Sequence, residues 1–186
     1  MQTLFLKRKC ISMESLYDIA YDEKEEVSAE IASSTGDNEI DPYIRSTVLK
    51  VLDPVHYPDV CKGLLSLIPT WSSHHDNLAH ATEDDYIIGE LHYLRYGTGD
   101  HFARHQDAGT GGTGGTNGRV FSSSTIITMT EDLRGGDFRM WDNDNGCHSL
   151  DLEPGDTLFF DSKTRHEITK VLSGTREVLV AWIYKR

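Results

Sequence analysis

The sequence from Tyr93 to Asp107 reads Tyr-Leu-Arg-Tyr-Gly-Thr-Gly-Asp-His-Phe-Ala-Arg-His-Gln-Asp and ends in a His-x-Asp triplet. Alternate side chains of a β-strand point to the same face. If this stretch is extended, the imidazole of His105 and the carboxylate of Asp107 project in the same direction. A second histidine from a neighbouring strand would complete a 2-His-1-carboxylate triad. Such a triad suits Fe(II) because it leaves coordination positions open for a co-substrate and O2.

Two downstream residues fit the same chemistry. His166 lies in Thr-Arg-His-Glu-Ile and is the candidate third ligand, and Arg176 follows ten residues later. An oxygenase of this kind needs a reductant, usually 2-oxoglutarate, whose keto acid end can chelate the metal. Its far carboxylate needs a planar and permanently charged partner, which an arginine side chain supplies. We therefore expect Arg176 to anchor the co-substrate.

An ordered series of motifs extends this pattern. It comprises Tyr96-x-x-Gly99-x-x-Phe102-x-x-His105-x-Asp107, Gly135-Gly136-x-Phe138, Pro154-Gly155-Asp156-x-Leu158-x-Phe160, His166-Glu167-Ile168, Gly174-x-Arg176 and Trp182. With these motifs the chain resembles the Fe(II)/2-oxoglutarate-dependent dioxygenases, and most of all their prolyl 4-hydroxylase branch. The resemblance covers residues 84–184.

The resemblance implies a fold, a reaction and a set of site residues. The fold would be a mainly β double-stranded β-helix, or jelly roll, with supporting N-terminal helices. The reaction would hydroxylate an unactivated C–H bond, preferably of a prolyl residue in a peptide or protein, using Fe(II), 2-oxoglutarate, O2 and L-ascorbic acid. The implied site residues are the metal ligands His105, Asp107 and His166 and the co-substrate contacts Arg176, Tyr96, Thr128 and Trp182. Thr128, with Thr125 as an alternative, stands where related intracellular prolyl hydroxylases have a tyrosine.

Other functions stay open at this stage. The stretch between the first predicted helix and Tyr86 is short beside that of collagen-type prolyl hydroxylases, so a free small molecule or another residue type could be the substrate. A non-catalytic jelly-roll module could keep the metal site without turnover. A cupin-like metal hydrolase or isomerase is a third alternative, and it would not need Arg176.

Two further segments resemble site motifs, but we assign neither of them to a metal or phosphate site. His74-His75-Asp76 is a second His-x-Asp triplet, but it lies in a polar, turn-like cluster and is not expected to bind metal. Gly109–Gly118 is a low-complexity run without the Gly-Lys-Ser/Thr ending of a phosphate-binding loop. It is either a hairpin connection or a mobile lid over the site.

The remaining pattern predicts an antiparallel sandwich or barrel. Tyr57–Ile68 has helical spacing and is expected to end at Pro69, whereas Tyr86–Tyr96 is expected to be a strand. From Arg119 onward, short apolar runs alternate with turn signals, which is typical of such β folds. In the last strand Arg176, Val178, Val180 and Trp182 share one face, so an arginine would lie at the deep end of an apolar cavity.

Charge and composition set the expected domain limits. The net charge is -12, and the segment from Glu14 to Asp41 holds ten acidic residues and one lysine. We expect residues 1–41 to form a flexible acidic segment and residues 42–186 to form the folded domain. No basic patch indicates nucleic acid as a partner, and no apolar run is long enough to span a membrane. Three dispersed cysteines favour a reducing, intracellular and cytoplasmic setting. The oligomeric state stays open.

Overall fold

The computed structural model describes residues 5–28, 31–32, 38–39, 45–74, 81–108 and 118–186. The strands are β1 Phe5–Arg8, β2 Val27–Ser28, β3 Ile31–Ala32, β4 Asn38–Glu39, β5 Arg45–Ser46, β6 Val48–Leu52, β7 Tyr86–Tyr96, β8 His101–His105, β9 Arg119–Met129, β10 Arg134–Gly135, β11 Phe138–Trp141, β12 Cys147–Leu150, β13 Thr157–Asp161, β14 Arg165–Ile168, β15 Val171–Ser173 and β16 Arg176–Lys185. The helices are α1 Met13–Ala20, α2 Pro58–Leu65 and α3 Leu67–Ser72, with 3-10 turns at Pro54–His56 and Glu83–Asp85.

Two antiparallel sheets form the body of the protein. The larger sheet has the order β1-β13-β9-β16-β7-β6-β2, and the smaller one has the order β12-β11-β14-β8-β5. Two short pairs, β10 with β15 and β3 with β4, complete the pairing of the described residues. The predicted mainly β jelly-roll architecture with supporting N-terminal helices is confirmed.

The larger sheet buries both of its faces, and each face has its own hydrophobic core. On β7, Leu91 and Tyr93 pack with the helices, whereas Leu94 and Tyr96 pack against residues of the smaller sheet. Strand alternation explains this division because neighbouring side chains point to opposite faces. The residues of β7 and β16 on the second face therefore point between the two sheets, where a site can form.

The expectation that the first 41 residues are flexible was wrong for residues 5–28. Strand β1 pairs with β13 along its whole length. In α1, Leu16 and Ile19 are fully buried, since their three-residue spacing puts both on one helical face. The buried ammonium of Lys50 donates to the carbonyl oxygens of Ala20 and Asp22, at 3.0 and 2.7 Å, and so ties the end of α1 to the sheet.

The predicted helix end at Pro69 was also wrong. The helical segment breaks at Ser66, and Pro69 then lies in the first turn of α3. A proline is tolerated there because the first N–H groups of a helix have no intrahelical acceptor.

Two predicted features lie outside the described residues. They are the run Gly109–Gly118, of which only the last glycine is described, and the triplet His74-His75-Asp76, of which only His74 is described. Within the part of the chain that is described, no helix is both long and apolar enough to cross a membrane.

Candidate active site

Three potential metal ligands converge between the two sheets. His105 ends β8, Asp107 follows it by two residues, and His166 lies on β14 directly opposite His105. One ligand atom from each residue lies within 4.8 Å of the others. The Nε2 atoms of His105 and His166 are 3.5 and 3.7 Å from the two oxygens of the Asp107 carboxylate. This is the predicted triad, and a divalent metal ion could be held at its centre.

Backbone carbonyls select the tautomer of both histidines. The Nδ1 of His105 lies 2.8 Å from the carbonyl oxygen of Ala103, and that of His166 lies 3.0 Å from that of Thr164. A carbonyl oxygen can only accept, so each Nδ1 carries the proton and each Nε2 keeps a lone pair for a metal ion.

Aromatic rings fix the planes of these imidazoles. Phe102 stacks on His105 with ring centroids 3.5 Å apart, and the guanidinium carbon of Arg45 lies 4.6 Å from the Phe102 centroid. Phe138 lies parallel to His166 with a centroid distance of 5.3 Å. Both ligand rings are therefore pre-oriented by packing, which limits the entropy lost when a metal binds.

Burial and mutual proximity set the charges of the triad. Burial alone would raise the pKa of the Asp107 carboxyl, but His166, His105 and the hydroxyl of Ser122 bring that pKa well below its usual range. Burial, reinforced by the neighbouring His105, lowers the pKa of His166 to about 4. At neutral pH the site therefore presents a carboxylate and a neutral imidazole, which are the forms that bind a metal cation.

Arg176 is the second charged element of the site. Its side chain is buried, with 2 % of its surface exposed, and burial lowers its pKa to about 10. One guanidinium nitrogen donates to the carbonyl oxygen of Gly136. Its Nε and Nη2 have no hydrogen-bond partner among the described residues, and no described carboxylate forms an ion pair with it. Gly136 has a φ of +68°, and a Cβ there would crowd the Arg176 side chain.

The triad opens into a largely apolar pocket that is partly open to solvent. The pocket wall includes Val178, Val180 and Trp182 of β16, which confirms the predicted strand parity. Tyr96, also on the wall, is the direct cross-strand partner of Arg176 and is almost fully buried. A dicarboxylate with one end at the metal ligands would find Arg176 as a buried cationic partner for the other end.

The expectation that Thr128 contacts the co-substrate was wrong. Thr128 is paired with Glu177 and donates to its carboxylate at 2.8 Å, on the face opposite to Arg176. Thr125, the alternative, hydrogen-bonds with Thr157 at 2.9 Å and lies opposite Leu179 of the helix-side core. Neither hydroxyl faces the pocket.

Sequence reasoning did not assign site roles to several pocket residues. They are Arg45, His92, Ser122 and Ser124, which lie on the wall or beside Asp107. The alternation of β7 gave a usable signal for His92, because it shares a face with Leu94 and Tyr96.

The comparisons with known proteins agree with this site. The family model described as the 2OG-Fe(II) oxygenase superfamily matches residues 91–184, half of the chain. The chain therefore belongs to the 2OG-Fe(II) oxygenase superfamily, and the resemblance inferred from its motifs is confirmed.

The individual relatives share only a low sequence identity with this chain. PKHD-type hydroxylases from Acinetobacter baumannii are 30 % identical over 94 residues, which is 49 % of this chain and 41 % of theirs, so the match spans less than half the length of these relatives. A prolyl-4-hydroxylase structure from Pseudomonas putida has a TM-score of 0.67 at 16 % identity and covers 98 % of this chain and 93 % of its own. A Trichoplax adhaerens prolyl hydroxylase, solved with a hypoxia inducible factor peptide, has a TM-score of 0.64 at 14 % identity, with coverages of 98 % and 84 %. At these identities the structures are similar in fold alone.

Membership of the superfamily implies Fe(II) and 2-oxoglutarate. The residues of this pocket fit both groups. The nitrogen and carboxylate ligand atoms suit Fe(II), and the two unpartnered guanidinium nitrogens of Arg176 suit a carboxylate.

Proposed function

We propose that this protein is an Fe(II)- and 2-oxoglutarate-dependent dioxygenase that hydroxylates a prolyl residue of a peptide or protein. His105, Asp107 and His166 would hold the metal, and Arg176 would bind the far carboxylate of 2-oxoglutarate. When bound, Fe(II) and 2-oxoglutarate would supply the electrons that activate O2, and O2 is the oxidant for attack on an unactivated C–H bond. The observation that carries the proposal is the buried guanidinium of Arg176, two of whose nitrogens have no partner among the described residues, in the same core as the triad.

The protein residues have separate tasks in this scheme. The triad fixes the metal on one side, and Phe102 and Phe138 hold the planes of its histidines. Arg176 and Tyr96, at the same level of the sheet, orient the co-substrate. The apolar wall keeps water away, which strengthens the electrostatic contacts of the bound co-substrate. The prolyl preference is supported by the fold relatives, which include two prolyl hydroxylases, one of them solved with a peptide.

The first experiment is an anaerobic titration of the Fe(II)-loaded protein with 2-oxoglutarate, followed through the visible metal-to-ligand charge-transfer band. We expect the band in the wild type, a large loss of affinity in Arg176→Ala and no band in Asp107→Ala. Absence of the band from the iron-loaded wild type would overturn the proposal and favour a binding module or a cupin-like enzyme.

Succinate formation then tests the substrate class. We would compare prolyl peptides with the same peptides carrying alanine instead of proline, and with free L-proline, each with and without ascorbate. Turnover that needs the peptidyl proline supports the proposal. Turnover with free L-proline but not with the peptides would show that the substrate is a small molecule.

A further inference from the structure

Two buried polar atoms in the pocket belong neither to the metal triad nor to the Arg176 anchor. The Nδ1 of His92 and the Nε1 of Trp182 are both shielded from solvent, and neither has a hydrogen-bond partner among the described residues. Both residues line the same pocket as the metal triad. Leaving such groups unpaired costs free energy in the folded protein, so a ligand that pairs them would be bound selectively.

The two rings form one local unit. Their centroids are 4.5 Å apart and their planes meet at 71°. His92 on β7 pairs with Val180 on β16, and Trp182 on β16 pairs with Glu90 on β7. The two rings therefore belong to cross-strand pairs that lie two residues apart along the strands. Trp182 lies on the same strand as Arg176, about 20 Å of extended chain further on. A group bound by this unit would therefore not compete with the anchored end of the co-substrate.

Trp182 also lies close to the metal triad. The guanidinium carbon of Arg119 is 3.6 Å from the Trp182 ring centroid, and Arg119 Nη1 donates to the backbone carbonyl of Asp107 at 3.3 Å. One guanidinium group thus separates the indole from the backbone of a metal ligand. The indole is held in place by this contact, and its N–H can act only as a donor.

The charge of Glu90 favours a proton on one nitrogen of His92 over the other. Its carboxylate lies 3.5 Å from His92 Nε2, and its other oxygen accepts from Tyr184 at 2.8 Å and from Arg119 at 3.3 Å. The separation of 3.5 Å is long for a hydrogen bond, but the negative charge still favours a proton on Nε2. Burial lowers the pKa of His92 to about 4, so its ring is neutral at pH 7. Nδ1 is then an acceptor.

We propose that His92 Nδ1 and Trp182 Nε1 recognise the backbone N–H and C=O of one residue of the primary substrate. His92 would accept from an amide N–H, and Trp182 would donate to a carbonyl oxygen. This inference rests on the proposed function, because it assigns the recognition of the prolyl substrate at the same site. An extended peptide residue presents its N–H and C=O on the same side of the chain, which matches one donor beside one acceptor. Proline has no N–H, so the amide read by His92 would belong to a residue next to the target proline.

The test uses two capped dipeptides as probes, N-acetylprolylglycine N,N-dimethylamide and N-acetylprolylsarcosine N,N-dimethylamide. Both carry the same carbonyl acceptors, but only the glycine probe has an amide N–H, on the residue after proline. Each is titrated into protein loaded with Zn(II), a redox-inert substitute for Fe(II), and with 2-oxoglutarate. Binding is followed through the indole N–H signal of Trp182 in ¹H–¹⁵N spectra, assigned with Trp182→Phe. The signals of Trp71 and Trp141 serve as internal references.

In the wild type we expect the glycine probe to bind about tenfold more tightly than the sarcosine probe, as one hydrogen bond predicts. His92→Leu should bind both probes equally, to within about twofold. His92→Asn should keep most of the preference, because its side-chain oxygen can stand near the position of Nδ1. The ¹⁵N spectrum of the wild type should report the Nε2–H tautomer of His92, and Glu90→Gln should weaken that tautomer preference.

Three results would overturn the inference. They are equal binding of the two probes by the wild type, a preference that survives unchanged in His92→Leu, and a Trp182 signal that neither probe shifts. The charge-transfer band of the wild type with Fe(II) and 2-oxoglutarate is recorded on the same preparation. A normal band together with any of these results would remove the amide-recognition role and leave the proposed function in place.

Discussion

Tyr96 and Arg176 are direct partners across β7 and β16, and both side chains are buried in the core between the two sheets. The phenol lies close enough to Arg176 to oppose the lowering of its pKa by burial. Without a ligand this pair costs free energy in the folded protein, because two nitrogens of Arg176 have no partner among the described residues. The arrangement is therefore explained by ligand binding better than by stability.

Replacing Arg176 by Met should separate stability from co-substrate binding. We expect the free energy of unfolding without ligand to be unchanged or raised, because a buried charge is replaced by an apolar side chain of similar length. The wild type with a redox-inert metal should gain about 2.7 kcal/mol at a 2-oxoglutarate concentration 100 times its Kd. Arg176→Met should gain almost nothing at that concentration.

Chemical unfolding with and without 2-oxoglutarate measures both effects. Arg176→Lys is the matched control, because it keeps the charge but loses the planar fork, and it should show an intermediate gain. A full gain in Arg176→Met would show that another residue anchors the co-substrate.

Thr128→Val should alter stability and leave co-substrate binding alone. The Thr128 hydroxyl donates to Glu177, which also accepts from the Tyr93 hydroxyl at 2.8 Å, on the side of the sheet away from the pocket. Loss of this bond to a charged acceptor should cost about 1.5–3 kcal/mol. The affinity for 2-oxoglutarate, measured through the charge-transfer band, should change less than twofold. A tenfold weaker affinity in the variant would show that Thr128 does contribute to co-substrate binding.

Leu16→Ala should destabilise the whole domain, although it lies far outside the predicted domain limits. The Leu16 side chain is fully buried, so we expect a loss of about 2–5 kcal/mol in the free energy of unfolding. Tyr17→Ala, at a neighbouring residue that is 44 % exposed, is the control and should change it by about 0.5 kcal/mol or less. Urea unfolding measures both. Equal, small effects would mean that α1 does not contribute to the core.

His92 should make the fold sensitive to acid. In the unfolded chain its imidazole takes up a proton near pH 6.5, whereas in the folded protein burial holds its pKa at about 4. Stability is therefore lost as the pH falls from 6.5 towards 4, because only the unfolded state binds the proton. At pH 5 this effect should have lowered the free energy of unfolding by about 2 kcal/mol.

The metal-free His92→Asn variant tests this pH dependence. Urea unfolding at pH 7 and pH 5 should show a decrease that is about 2 kcal/mol smaller than in the metal-free wild type. The histidines that the two proteins share, His166 among them, cancel in the comparison. Identical decreases would show that His92 is already protonated, or exposed, in the folded state.

The sequence by itself determined the local part of the site. His105 and Asp107 are two residues apart, and the alternation of the last strand puts Arg176, Val178 and Trp182 on one face. Both inferences depend only on the period of an extended chain, which a regular strand imposes whatever its surroundings. The ordered motifs identified the family for the same reason, because each is a short run whose spacing follows the period of an extended strand.

Only the tertiary structure decided which side chains meet across strands. Opposite Glu177 and Val178, strand β9 has an extra residue between Ile126 and Thr128. This bulge reverses the alternation, so Thr128 faces away from the pocket although Ile126 faces the core between the sheets. The acidic composition of the segment from Glu14 to Asp41 likewise predicted a flexible chain and hid the role of α1. Two residues of this helix, Leu16 and Ile19, nevertheless reach the core. The surroundings of His92 are also a product of the fold, which closes an apolar pocket around its imidazole and leaves one nitrogen without a partner among the described residues.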